Sequence, residues 1–395
     1  MKALKGFRAT DISLMVLLFF HAICAIITGT LLPQIIKEFS IDYATAGSIE
    51  TLRSYAILFI LVITVKLLRV VSAKTLFVLS RFGIAVGFVM SALSGNYSFF
   101  LAGVILAGLG AGFVESLIAQ TITNLHQAEN NTEKFFNAIQ GVFSIAVILI
   151  PLLYGYAMEH GVTWRQIFLY TSIMPVVVAF ILLFSDLPAV EAEEGGYSEA
   201  LKAVFSKAAG RLLSIGIFVS AGIENMFYVW SATYISLYLH DNQQYAATGL
   251  AIFGLFMCLA RFTTALLNGK KIAYYMMYIA QICGFTSAIL LFTMEGIEIF
   301  YISLALAGIC AGPMWPSITG LISDMEPGAK AGYFIIIALI GYIGYANAPL
   351  FMGLIGDLSG DLKNGFYSLP VSTLILVFVI SGLRKLAIKN GSYYK

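Results

Sequence analysis

Apolar residues run along this chain in twelve long blocks separated by short polar turns, and no block alternates apolar with polar as a half-buried strand would. The blocks cover approximately residues 11–38, 44–67, 74–93, 99–125, 135–157, 166–185, 210–239, 244–267, 272–293, 297–323, 329–354 and 363–384. A helix rises about 1.5 Å per residue, so a block of about 20 residues crosses a bilayer. In lipid each backbone polar group must bond within its own segment, so the pattern predicts twelve membrane helices. The first block lacks a small-residue cleavage site and is followed by eleven more, so it reads as a retained helix. One polar break is longer than the rest. Residues 186–207 carry Asp186, Glu191, Glu193, Glu194 and Glu199, the pair Gly195-Gly196, and an amphipathic stretch from Tyr197. This predicts a six-helix bundle over 1–187, a linker over 188–208 and a second six-helix bundle over 209–395.

Composition narrows the picture. Of 395 residues 59% are hydrophobic and only 11% charged, against about 25% charged in soluble domains. A mean hydropathy of +0.89 excludes a large soluble enzyme, and disorder with it. A net charge of +2 leaves no field for nucleic acid. The four cysteines, Cys24, Cys258, Cys283 and Cys310, sit in apolar runs without metal-ligand spacing. No phosphate-cradling GxxxxGK[ST] loop, HExxH or GxSxG motif is present, so neither an ATP-driven pump nor an enzyme is indicated, and no cofactor or metal. Of the 23 Lys and Arg residues, Lys37, Arg165 and Lys363 fall on one side and Arg53, Arg81 and Arg261 inside spans; all the others share the opposite side. The positive-inside rule then makes both termini and the linker cytoplasmic, in an inner (cytoplasmic) membrane.

The two bundles repeat. Leu106-Ala107-Gly108-Leu109-Gly110-Ala111-Gly112 in span 4 returns as Leu306-Ala307-Gly308-Ile309-Cys310-Ala311-Gly312 in span 10. Pro151-Leu152 with Gly155 in span 5 is answered by Pro349-Leu350 with Gly353 in span 11. Parallel six-helix repeats are the architecture of major facilitator transporters. The whole chain resembles that superfamily, and more narrowly its fucose–galactose–glucose:proton symporter branch. The narrower resemblance rests on Leu31-Leu32-Pro33-Gln34 with Glu38-Phe39 in span 1 and Glu115 after the glycine turns of span 4. It rests also on Gly222-Ile223-Glu224 with Trp230 and Tyr234 in span 7, and on Gly312-Pro313-Met314-Trp315-Pro316 in span 10. It implies a monomeric secondary transporter that carries a monosaccharide with a proton by alternating access. Three departures stand out. The branch's span 1 acid falls on Gly29, its span 5 histidine falls on Gln140 within Asn137-x-x-Gln140-x-x-Phe143, and the loop 2–3 signature is reduced to Lys66, Arg69 and Lys74.

Ionisable groups inside spans mark function by default, because each costs about 2.5–3.5 kcal/mol to insert. Glu115 shares a helix face with Gly108, Gly112 and Ala119, which turns it toward a neighbouring helix and suits a proton carrier. The plainer alternative is a structural hydrogen bond. Glu224, Asn225, Tyr228, Trp230 and Tyr234 mix carboxylate, amide and rings along span 7, as a sugar site requires, whereas an aromatic belt would put Trp and Tyr at the interface. Asn137, Gln140 and Ser144 form a polar stripe on span 5, and Trp315, Tyr342, Tyr345 and Asn347 complete the candidate substrate site. His21 is either a packing residue or a proton relay in place of the absent span 1 acid. Arg53 is one turn from Glu50 and suits a gating pair, while Arg81 and Arg261 read as structural residues that snorkel. The expected partners are a small-molecule substrate, a coupling proton or sodium ion, and the bilayer. The rival readings are a proton-antiporting exporter, a sodium-coupled or uncoupled facilitator, and a receptor-like protein that transports nothing. Exporters of this fold show a Gly-Pro pair in span 5, where Ile150 precedes Pro151 here.

Overall fold

A computed structural model describes residues 9–67, 70–126, 132–183, 197–240, 242–267, 269–326, 329 and 331–394, and among them the secondary structure is entirely helical. The acidic part of the expected linker, 184–196, lies outside the described residues. Among the described residues eleven segments are long and apolar enough to span a membrane, and Tyr97–Phe113 is a shorter apolar stretch within a 30-residue helix.

In the first half, α1 (Ala9–Phe39), α2 (Tyr43–Leu67), α3 (Ala73–Ala92), α4 (Tyr97–His126) and α5 (Thr132–Glu159) are single rods. The sixth span is two pieces, α6 (Trp164–Thr171) and α7 (Ile173–Leu183). Pro175 explains the break, because it offers no N–H to the Thr171 carbonyl four residues back. After the amphipathic α8 (Tyr197–Ser206), the second half runs through α9 (Ala208–Tyr234, extended by a π-turn over Ile235–Leu239), α10 (Gln243–Leu267) and α11 (Lys270–Thr293). It ends with α12 (Ile297–Ala311), α13 (Met314–Met325), α14 (Ala331–Ser359) and α15 (Ser368–Lys389). The tenth span is broken where Gly312 and Pro313 part α12 from α13.

The halves meet along three seams, α5 with α10, α2 with α14, and α1 with α9, and α5 packs on α13 as well. Large side chains such as Leu153, Ile282 and Phe378 point away from these seams and are more than half exposed, which is where lipid would cover them. At the end that carries the α1–α2 turn the backbones nearly touch. A Cβ on Gly29 of α1 would stand 2.3 Å from the Tyr228 carbonyl oxygen of α9, and one on Gly353 of α14 would stand 2.3 Å from that of Tyr43. Only glycine allows approach that close. The helix α8 packs back on the second half, with Val204 fully buried and Lys207 ion-paired to Glu326 at 2.5 Å.

Candidate functional site

Where the three seams converge, a cavity of about 60 Å³ is lined from the first half by His21, Arg53, Ile57, Gln140 and Phe143, and from the second by Glu224, Arg261, Trp315, Tyr342 and Tyr345. Drug-sized ligands occupy about 300–1,000 Å³.

Proline chemistry builds one wall. Pro316 has no N–H to meet the Gly312 carbonyl, and the Nε of Arg261 donates to that oxygen instead, at 2.9 Å. The rest of the guanidinium is equally engaged: Nη2 donates to both carboxylate oxygens of Glu224, and Nη1 to the Gln140 carbonyl and the Ser144 hydroxyl, all at 3.1 Å. Glu224 also accepts from the Tyr228 hydroxyl at 3.0 Å. Arg261 is therefore a central ion-pair residue, 1% exposed, and does not snorkel to an interface. Arg81 does not reach solvent either, being fully buried, with Nε and Nη2 lacking hydrogen-bond partners. On the facing wall Arg53 is held by Glu50 through both Nε and Nη2, as the spacing of the two residues suggests. Both cavity arginines thus carry a carboxylate partner.

Several expected site residues lie off the cavity wall. Pro349 frees the Tyr345 carbonyl of α14, and the side-chain amide of Asn225 donates to it at 2.7 Å. Trp230 is fully buried, with its indole N–H on the Pro349 carbonyl at 3.0 Å. Tyr234 stacks on Tyr238 and packs against Phe300 and Phe366. Asn347 exchanges hydrogen bonds with the Tyr55 hydroxyl between α14 and α2, at 2.9 and 3.2 Å. Asn137 donates to the Ser317 hydroxyl of α13 at 3.3 Å, tying the halves together beyond the cavity. By contrast His21, Gln140, Glu224, Trp315 and Tyr345 come together on the wall, with Tyr342 edge-on to Trp315. Arg53 and Arg261 join them, and the span positions alone had not placed either in the cavity. Glu115 falls on α4, but its side chain lies outside the described residues.

The end with the α1–α2 turn is sealed by a carboxylate as well as by glycine. Asp357, at the close of α14, accepts from the Tyr43 and Ala44 amides at 3.0 and 2.7 Å and so caps α2 across the halves. Asp42 accepts from the Thr45 amide at 2.7 Å, and hydrogen bonds from Thr45 hold its carboxyl below the usual range. Tyr43 and Tyr238 join their hydroxyls at 2.8 Å beside them. A carboxylate at a helix N-terminus is worth about 0.3–1 kcal/mol. Asp357→Asn should therefore raise the population open at this end by about two- to fivefold. The measurement is alkylation of a cysteine placed at the buried Ala346, in a background without the native cysteines; an unchanged rate would show that the cap bears no load.

The family model described as the Major Facilitator Superfamily matches residues 14–297. Among curated relatives, the chain is 26% identical over 201 residues to MFS-type transporter ppz2 of Metarhizium majus, covering 50% of this chain and 33% of that protein. It is 20% identical over 167 residues to a protein TsgA homolog of Buchnera aphidicola, covering 42% of this chain and 43% of that one. The matches thus span less than half the length of either relative. Two solved structures superpose over 97% of this chain and 99% of theirs, each with a TM-score of 0.70. One is the E. coli fucose:proton symporter FucP, at 18% identity, and the other is FucP in the outward conformation, at 17%.

Proposed function

This chain belongs to the Major Facilitator Superfamily, a family of transporters and not of enzymes, and on that footing we propose that it is a secondary transporter whose cargo is a monosaccharide, taken up with a proton. The observation that carries the substrate class is the pairing of charge in the cavity. Arg53 is matched by Glu50 and Arg261 by Glu224, so the wall offers polar contacts without a net field for an anion or a cation. Trp315, Tyr342 and Tyr345 add ring faces. A neutral, polyhydroxylated solute with one apolar face answers both features. The likeness to a fucose:proton symporter supports the same reading. His21, Gln140, Glu224, Trp315 and Tyr345 are the contacts we assign to the sugar, and Glu115 is assigned to the proton. The two halves are the six spans before residue 184 and the six after residue 208, and they rock about the cavity to expose it alternately.

The test is uptake of radiolabelled L-fucose, D-galactose and D-glucose into proteoliposomes, with and without an inward-acidifying pH gradient. Accumulation of one sugar, enhanced by the gradient, is the expected result. Failure of every neutral sugar, alongside transport of a charged solute, would overturn the substrate assignment, and gradient-driven export would favour the antiporter. Orientation is tested separately. Ser198 lies exposed on α8, and with the linker cytoplasmic a cysteine there should resist an impermeant reagent applied to intact cells. Efficient labelling would invert the topology.

A further inference from the structure

Arg261 sits on α10, in the second half, yet it donates through Nη1 to two acceptors on α5, in the first. The other side of the same planar fork is fixed within its own half by Glu224 and by the Gly312 carbonyl. These bonds cross a tight seam, which Cys258 of α10 also bridges by donating from Sγ to the Gly141 carbonyl of α5 at 3.7 Å. A Cβ on Gly254 of α10 would meet Val147 and Ile148 of α5 at 2.9–3.1 Å, and one on Gly141 of α5 would meet the Phe262 ring at 2.8 Å. If α5 and α10 slide or part, the guanidinium must release Gln140 and Ser144.

What aims Nη1 at α5 is Glu224. Its two oxygens accept from the one nitrogen Nη2 while Nε stays on the Gly312 carbonyl, so two of the three guanidinium nitrogens are pinned within the second half and the third, Nη1, is turned to α5. Glu224 is also the part of this network that a solute can reach, because both it and Arg261 line the cavity and its side chain is 10% exposed. A hydroxyl that enters the cavity and donates to Glu224 competes with Arg261 for the same two oxygens. Once Nη2 loses them, Nε alone is held within the second half, and the bonds of Nη1 to α5 are the ones free to break.

We propose that Arg261 is a clasp between the two halves and Glu224 its trigger: a solute hydroxyl engaging Glu224 loosens Arg261 from Gln140 and Ser144 and lets the halves part on that side. The inference rests on the transporter reading but not on which solute is carried. Arg261 acts here as a positioning residue for the motion, separate from any contact it makes with cargo.

The test measures distances in nanodiscs by double electron–electron resonance, with spin labels at Ser72 and Lys271, which lie in the two halves at the end of the bundle nearer Arg261. With no solute added, Glu224→Gln keeps the shape of the trigger but offers Nη2 one neutral oxygen in place of a carboxylate, and should raise the open population about tenfold. Arg261→Lys keeps the charge but cannot span Glu224 and α5 together, and should do the same. Ser144→Ala removes one acceptor and leaves the ion pair intact, so a smaller shift in the same direction is expected even if the other variants fold poorly. A residue that merely stabilised the fold would lower the melting temperature and leave these distances alone. Unchanged distributions in all three variants would overturn the clasp. Adding L-fucose, D-galactose or D-glucose separates the two readings. If the variants shift without solute but no sugar moves the unaltered protein, the clasp stands and the sugar assignment falls. If a sugar moves the unaltered protein and Glu224→Gln by the same amount, the trigger falls and the sugar assignment stands.

Discussion

Gly29→Ala should hold the protein away from its closed arrangement at the α1–α2 end and slow transport by about one to two orders of magnitude. The added methyl would stand 2.3 Å from the Tyr228 carbonyl oxygen and 3.2 Å from the Cα of Val229, and neither is a flexible side chain that can swing clear. Both helices would have to separate. Overpacking of this kind costs about 1–3 kcal/mol, which is about 5- to 150-fold in the closed population. The open population is spared, because there the two helices do not meet. The prediction is therefore specific: substrate affinity measured from the open side stays within a few-fold, while turnover falls. Equal loss of binding and turnover would mean that the substitution merely damages the fold. Gly29 is also the position where related symporters carry an acid, so Gly29→Asp should block closure rather than restore coupling.

That reading of Gly29 shows what a sequence can and cannot disclose. Its departure from the branch pattern was visible at once, but the reason was not, because Tyr228 is 199 positions away and nothing local brings the two backbones together. The twelve spans were legible because lipid leaves a backbone no alternative to the helix. Both breaks within spans have a proline beside them that lacks the N–H owed to the fourth residue back, Pro175 and Pro316, but Pro33, Pro151 and Pro349 sit inside continuous helices, so proline alone does not mark a break. The same rule could have anticipated the fate of Asn225. Pro349 frees the Tyr345 carbonyl, and a buried amide on the next helix is the natural donor to it. Trp230 belongs to the same kink, through the Pro349 carbonyl. Mixed polar and aromatic surface on a membrane helix thus has two uses, repairing a neighbour's backbone and binding cargo, and span 7 alone does not tell them apart. Arg261 was misread for a different reason. Its distance from a helix end suggested snorkelling, whereas the Gly312 carbonyl and the Glu224 carboxylate lie much closer in space than water does. Sequence spacing gives depth in the membrane but not azimuth relative to other helices.

Glu115→Gln should abolish uphill accumulation while leaving binding and exchange in place. The face of α4 that carries Gly108 and Gly112 packs on α2: a Cβ on Gly108 would stand 2.6 Å from the Arg53 carbonyl oxygen, and one on Gly112 2.8 Å from that of Ile57. Glu115 follows Gly112 by three residues and Gly108 by seven, which returns it to the same face of the helix. Arg53 and Ile57 both line the cavity, so Gly108 and Gly112 pack α4 against the helix that borders the site. Glutamine reproduces the shape and hydrogen-bonding capacity of a protonated glutamate but cannot release a proton. A pH difference of one unit supplies about 1.4 kcal/mol per proton, so a one-to-one symporter can hold about tenfold accumulation against it. The variant should reach only equal concentrations inside and outside, with counterflow of labelled for unlabelled sugar continuing at a comparable rate. Since the branch's span 1 acid falls on Gly29, the carboxylates of α1 are Asp11 and Glu38, near its two ends. If Glu115→Gln still accumulates sugar in response to acid outside, the proton travels by another residue, and His21 on the cavity wall is then the one to replace. If neither variant loses gradient-driven uptake, the proton travels by a third group; if the unaltered protein does not respond to acid outside, coupling is to sodium or to nothing at all, and repeating the assay with an imposed sodium gradient distinguishes those two.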